Sequence, residues 1–232
     1  MSETLTITTP DGDFAAYVAR PQAENAPAIV VIQEIFGVNK VMRDIADGLA
    51  SQGYVAIVPD LFWRIEPGID ITDQSEAEWK RAFELFNAFD VDSGVSDIAA
   101  TINTARTLPG VNGKVGAVGY CLGGLLAFLT ATRTDADASV SYYGVGTEKH
   151  LAEAEKLARP LLMHLGEEDQ FVPKEAHKLI LDSLKDHPQI EIHTYPGRDH
   201  AFARHGGEHY DEADAKLAAG RTLAFFQAHL GA

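Results

Sequence analysis

Polar and apolar positions alternate over residues 4–8, an apolar run covers 14–19, and Pro10-Asp11-Gly12-Asp13 stands between them. Period-two alternation around an Asp-Gly turn predicts a β-hairpin. Ala28-Ile29-Val30-Val31-Ile32 is continuously apolar, the pattern of a strand buried on both faces. From about Asn39 the period changes: Val41, Met42, Ile45, Leu49 and Ala50 fall at helical spacing, and Gly53 marks the stop. Further strands are predicted over residues 54–58, 114–118, 138–143, 161–165 and 190–195. Helices are predicted over 75–90, 91–108, from 122 to about 131, 174–185 and 210–229. A hairpin followed by alternating strands and helices indicates an α/β fold with a mostly parallel central sheet. Right-handed crossovers would place helices on both of its faces. No Pro- or Ser-rich linker, repeat or low-complexity tract interrupts the pattern, so one domain over 1–232 is expected. The segment 60–78 is the least regular and is expected to cover the sheet's upper edge.

Composition narrows the partners. A chain of 232 residues holds a core without disulfides or metals, and its single cysteine excludes an intramolecular disulfide. A net charge of −15 disfavours nucleic acid and anionic membranes. The first residues, MSETLTITTPDG, lack the basic and apolar regions of a secretory signal, and no apolar run reaches the ~18 residues of a membrane span. A cytoplasmic protein in a reducing compartment is expected, with no metal or organic cofactor.

Gly119-Tyr120-Cys121-Leu122-Gly123 carries the sharpest chemical signal. It has the spacing of the G-x-S-x-G nucleophile elbow with Cys in place of Ser, between an apolar strand and an apolar helix. The glycines flank a turn in which a Cβ would collide with its neighbours. The helix N-terminus would favour a thiolate, and the Leu122 N–H would form half of an oxyanion hole. On such a fold the acid and then the His follow the nucleophile. The strand at 161–165 runs into Glu167, Glu168 and Asp169; Asp169 is the candidate acid, and the two Glu read as solvated charges. Of the nine His, His200 lies in the loop after the last strand and is the candidate base, with His205 and His209 as rivals. His164, inside a strand, reads as a satisfied core histidine. In this scheme His200 moves the thiol proton and Asp169 fixes its tautomer.

With these residues in place the chain resembles the dienelactone hydrolase (carboxymethylenebutenolidase) family of α/β-hydrolases over nearly its whole length. The resemblance rests on Gln33-Glu34-Ile35-Phe36-Gly37-Val38-Asn39, Gly119-Tyr120-Cys121-Leu122-Gly123-Gly124, Tyr142-Tyr143-Gly144-Val145-Gly146 and His200-Ala201-Phe202-Ala203-Arg204. It implies a Cys121–His200–Asp169 triad, an acyl-thioenzyme intermediate and a small carboxylated lactone or ester as substrate. It gives Glu34 the part of taking the thiol proton when substrate binds. It completes the oxyanion hole with the Ile35 N–H and assigns the substrate carboxylate to Arg204. A second family Arg falls near Arg81, while Phe36, Phe83 and Phe86 stand as pocket walls or as core aromatics. It also implies a monomer.

The chain departs from the family pattern at Ala201, where the family has Ser, and at Phe83 and Phe86, where it has Tyr and Trp. Losing a hydroxyl or an indole N–H removes polar readout, the strong form of discrimination. A hydrolase of neutral or larger esters on the same fold is therefore the first alternative. A non-catalytic thiol sensor is the second.

Overall fold

A computed structural model describes residues 2–231. The hairpin forms where period two predicts it. β1 (Ser2–Thr9) and β2 (Gly12–Ala19) pair antiparallel with Thr9 opposite Gly12, which leaves Pro10 and Asp11 as the loop. Gly12 takes the positive φ, at +143°, as the first residue of β2. The chain then forms two compact units, one running to Ala117 and one spanning Val118–Gly231. Among the described residues, eight strands and six α-helices make an α/β fold.

In the first unit the strand order is β1-β2-β4-β3-β5, with β3 at Ala26–Ile32, β4 at Val55–Pro59 and β5 beginning at Val111. β4 is antiparallel to β2 and parallel to β3. Every residue of β3 and β4 is buried, as a continuous apolar run requires. Between them α1 (Lys40–Ser51) starts on Asn39, whose side chain accepts the Met42 N–H, and turns Met42, Ala46 and Leu49 inward. α2 (Glu76–Ala88) opens on a Ser75 N-cap: Ser75 accepts the Glu78 N–H and donates its hydroxyl back to the Glu78 carboxylate. α3 (Val91–Thr107) is capped by Asp90. The irregular segment after Asp60 is held rather than loose. Asp60 accepts the Phe62 and Gly68 N–H groups, and the Val38 N–H donates to Ile69 O while the Ile71 N–H donates to Phe36 O. It thus lies against the turn that leaves β3. A Cβ on Gly37 would come 2.0 Å from Ile69 O, so only glycine permits this approach.

In the second unit the end of β5 (Val111–Tyr120) leads the order β5-β6-β7-β8, with β6 at Ala138–Tyr142, β7 at Leu161–Gly166 and β8 at Ile190–Tyr195. β6, β7 and β8 run parallel. α4 (Leu122–Arg133) is apolar almost throughout, and Leu122 to Thr132 are all buried. α5 (Lys174–Leu184) and α6 (Glu212–Leu230) follow as predicted, α6 starting on an Asp211 cap. Two short 3₁₀ turns, Thr147–Lys149 and Leu151–Lys156, stand where no element was predicted. Parallel strands send their C-terminal ends to one edge, and the loops leaving that edge are where such folds bind ligands. Among the described residues, no helix is long and apolar enough to cross a membrane.

Candidate active site

The loops at the strand C-terminal ends of the second unit gather the candidate nucleophile, base and acid. Cys121 sits between β5 and α4 with φ +58° and ψ −116°. That backbone is unfavourable for an L-residue and is kept only where the surroundings enforce it. Here they do. The Cys121 N–H donates to Tyr142 O at 3.1 Å, and Cys121 O accepts the Gly124 N–H at 2.9 Å. A Cβ on Gly119 would come 1.8 Å from Gly123 O, and one on Gly124 would come 2.3 Å from Tyr142 O. The glycines of the elbow therefore let strand, turn and helix close on one another. Leu122 is the first residue of α4, so the helix has no carbonyl for its N–H.

Asp169 is placed on its loop by its own backbone: Oδ1 accepts the Phe171 N–H at 2.8 Å and the Val172 N–H at 3.1 Å. Its other oxygen, Oδ2, faces His200 Nδ1 at 2.8 Å. Glu168 instead pairs with Lys174 and is exposed, as a solvated loop charge should be. Cys121, His200 and Asp169 are all buried. Burial alone would pull the His200 imidazolium down. The negative charge of Cys121 and the hydrogen bond to Asp169 outweigh it, and His200 is raised from 6.5 to about 10. His200 Nε2 makes no hydrogen bond of normal geometry. The influence of Cys121 on the ring is thus chiefly that of a nearby charge.

Two aromatic rings that sequence reasoning gave no role hold the imidazole. Tyr143 meets it edge to face at 5.1 Å between centroids, and Phe171 does so at 4.9 Å. Tyr143 has φ +39°, a left-handed backbone at the end of β6. Nothing in the sequence beyond the closeness of Phe171 to Asp169, two residues apart, points to this contact.

Beneath the site lies a buried polar chain. Arg221 donates to Tyr195 OH at 3.1 Å, Tyr195 OH meets His164 Nδ1 at 2.8 Å, His164 Nε2 meets Thr222 Oγ1 at 3.0 Å, and Thr222 Oγ1 meets Tyr142 OH at 2.7 Å. Arginine only donates, so the Tyr195 hydroxyl accepts from Arg221 and keeps its own proton available for Nδ1. Burial, with the charges of His193 and Arg221, holds His164 well below 6.5 and neutral. It is the satisfied core histidine that its place in a strand implies. His209 stands 3.7 Å from Asp199, not at the Asp169 carboxylate.

Arg204 is buried in the second unit, its N–H donating to Ala201 O at 2.9 Å. Ala201, directly after His200, has φ +60°. The remaining candidates lie in the first unit. Glu34, Ile35 and Phe36 follow β3 and are buried. Phe36 packs edge to face on Trp79, which stacks on Phe83. Phe83 is 41% exposed and is therefore no core aromatic, while Phe86 is half-buried. Arg81 is shared between Glu66 and Glu84, with its side chain about a third exposed. Among the described residues, no cluster of His, Cys, Asp or Glu is arranged to hold a metal ion.

Comparison with known proteins bears on the same reading. Residues 14–230 match the model of the dienelactone hydrolase family. A provisionally named carboxymethylenebutenolidase of Azospirillum brasilense is 51% identical over 223 residues, covering 95% of this chain and 96% of its own. The carboxymethylenebutenolidase of Pseudomonas putida is 43% identical over 226 residues, covering 97% and 96%. Among solved structures, a provisionally named dienelactone hydrolase from Klebsiella pneumoniae superposes with a TM-score of 0.87 at 28% identity, over 97% of this chain and 98% of that one.

Proposed function

Since the chain belongs to the dienelactone hydrolase family, of α/β-hydrolase fold and acting on carboxylic ester or lactone bonds, we propose that it opens a small carboxylated lactone or ester through covalent attack by Cys121. The observation that carries this reading is the buried Asp169–His200 hydrogen bond at 2.8 Å beside a cysteine on a strained strand-to-helix turn.

The chemistry follows from the charges. Burial works against a charged ring, but the Cys121 and Asp169 contacts raise His200 to about 10, so His200 can hold the proton that the thiol gives up on attack. The Cys121 sulfur adds to the carbonyl carbon, and the oxyanion is received by the free Leu122 N–H at the head of α4. Collapse breaks the C–O bond of the lactone, and His200 Nε2 gives its proton to the departing oxygen. The sulfur of the thioester now bears no charge. His200 loses the strongest influence holding it up and falls toward the range in which imidazole accepts protons. It then takes a proton from water, hydroxide adds to the thioester carbonyl, and collapse releases the acid and restores the thiolate. Asp169 keeps a proton on Nδ1 throughout, so Nε2 is the nitrogen that exchanges. Tyr143 and Phe171 fix the plane of the ring.

For the substrate carboxylate, the cation is Arg204, four residues after His200, whose guanidinium can hold a carboxylate in bidentate fashion. The parts given to Glu34, as acceptor of the thiol proton, and to the Ile35 N–H rest on the family resemblance alone. Ala201 and the exposed Phe83 favour a second reading, hydrolysis of neutral or larger esters by the same residues. Steady-state hydrolysis of a dienelactone beside p-nitrophenyl acetate, with wild type and Cys121→Ala, decides. Cysteine-dependent turnover that prefers the carboxylated lactone supports the proposal. Cysteine-dependent turnover of the neutral ester alone supports the second reading, and full activity of Cys121→Ala removes the mechanism.

A further inference from the structure

The hydrogen bond between acid and base joins two separate loops, and their relative position has to be fixed by something other than that bond. The loop carrying Asp169 continues into Gln170; the loop carrying His200 is preceded by Asp199. A single oxygen, Asp199 Oδ1, accepts the Gln170 N–H at 2.9 Å and the His200 N–H at 2.6 Å. The result is a closed ring. It runs from the Asp169 carboxylate through its backbone to the Gln170 N–H, across Asp199 Oδ1 to the His200 N–H, along the His200 side chain to Nδ1, and back to Asp169 Oδ2 at 2.8 Å. The second oxygen, Oδ2, has the Gln170 side-chain amide at 3.5 Å and His209 Nε2 at 3.7 Å.

We infer that Asp199 is a positioning residue for the acid–base pair: its carboxylate oxygen clamps the backbone on both sides of the Asp169–His200 contact and sets its length. The inference rests on the mechanism proposed above. Its physical need is visible one residue on, where Ala201 sits at φ +60°. A non-glycine residue in that region tends to relax, and relaxation there rotates the peptide that carries His200. The clamp opposes it. Asp199 itself is not placed to touch substrate carbon, because Oδ1 is occupied by two backbone donors.

Removing the clamp should not unravel the loops. The Glu168 N–H still donates to Arg198 O at 2.9 Å, and Arg198 still pairs with Asp211 and Asp214. What is lost is alignment, and small misplacements of reacting groups slow the chemical step far more than they weaken binding.

The test compares Asp199→Ala and Asp199→Asn with wild type and Cys121→Ala, using p-nitrophenyl acetate and a dienelactone at several pH values. Asp199→Ala is expected to lower kcat by about 10- to 30-fold with KM within about twofold. Asp199→Asn keeps an oxygen for both N–H groups and is expected to return kcat to within about threefold of wild type, with the pH profile unmoved. Wild-type kcat in Asp199→Ala overturns the inference. So does Asp199→Asn as slow as the Ala variant, since charge rather than the shared oxygen would then be at work. Should the Ala variant fail to fold, the Asn variant alone decides: a loss above about tenfold overturns the clamp. The Cys121→Ala control separates the two ideas, because turnover there removes the mechanism itself whatever Asp199 does.

Discussion

Asp169→Asn isolates the acid's chemical part from its structural one. Asn is isosteric, and its amide oxygen can still accept the Phe171 and Val172 N–H groups that hold the loop at 2.8 and 3.1 Å. The other arm then presents NH₂ where Oδ2 stood, 2.8 Å from His200 Nδ1. Two donors cannot face one another, so the imidazole is forced to carry its proton on Nε2 and to accept at Nδ1. In the neutral ring needed for deacylation, Nε2 then has no lone pair to take a proton from water. By the magnitude seen when other triads lose the acid's charge, kcat should fall about 10³- to 10⁴-fold. The lost charge-assisted hydrogen bond should cost about 1.5–3 kcal/mol of stability. For a chain of this size that is roughly 4–10 °C in Tm. Losing Asp169 also lowers His200 from about 10, since the hydrogen bond to Asp169 is among the causes that hold it up. The assay is kcat and kcat/KM for an ester from pH 5 to 10, with thermal melting of the same samples. Activity within tenfold of wild type would refute the reasoning. Equally damaging would be a melting point too low for the protein to be folded at assay temperature, because the amide was expected to preserve the loop.

Three further predictions follow from separate observations. Gly119→Ala puts a Cβ 1.8 Å from Gly123 O, so the elbow must open; soluble yield and activity should both collapse, and a folded, active variant would mean that the turn is not closed as described. Arg204→Ala should lower kcat/KM for a carboxylated lactone by more than tenfold while leaving a neutral ester within about threefold, and equal losses on both would remove its assigned role. His164 is neutral in the fold and held well below 6.5, so on unfolding it takes up a proton below that value. Its contribution is complete above about pH 6.5 and is lost as pH falls from there toward the folded value, with a slope of up to about 1.4 kcal/mol per pH unit. His200, raised to about 10, has the opposite sign: its contribution is complete below 6.5 and is lost as pH rises through 10. Chemical denaturation of wild type and His164→Gln at pH 5 to 7 checks the first window, and an acid slope unchanged by the substitution would contradict the burial of a neutral His164.

Much of this was legible in the chain because the signals were local. Period-two and continuous apolar runs gave every strand to within a few residues, and β8 at its observed ends. β5 begins at Val111 rather than at Lys114 because polar Asn112 and Gly113, which takes φ +87°, break the apolar run ahead of the predicted start. The 3₁₀ turns between 147 and 156 were missed because so short a helix has no periodicity to detect. At the site, the elbow's glycines marked Cys121, and strand ends marked Asp169 and His200, as the candidates that the fold brings together. Tyr143, Phe171 and Asp199 were not legible, since each acts through a partner on a different loop: Tyr143 through His200, Phe171 through the same ring, and Asp199 through Gln170. Phe83 shows the reverse limit. Its helical spacing allowed core or wall, and only its 41% exposure rules out the core.

The central claim is a covalent intermediate on one sulfur, and it is read most directly by mass. Wild-type protein mixed with p-nitrophenyl acetate, quenched in acid within the first turnovers and digested, should carry one acetyl group on the peptide containing Cys121. The label should decay at the rate of steady-state turnover. Turnover without any adduct, or an adduct on a residue other than Cys121, would contradict the account.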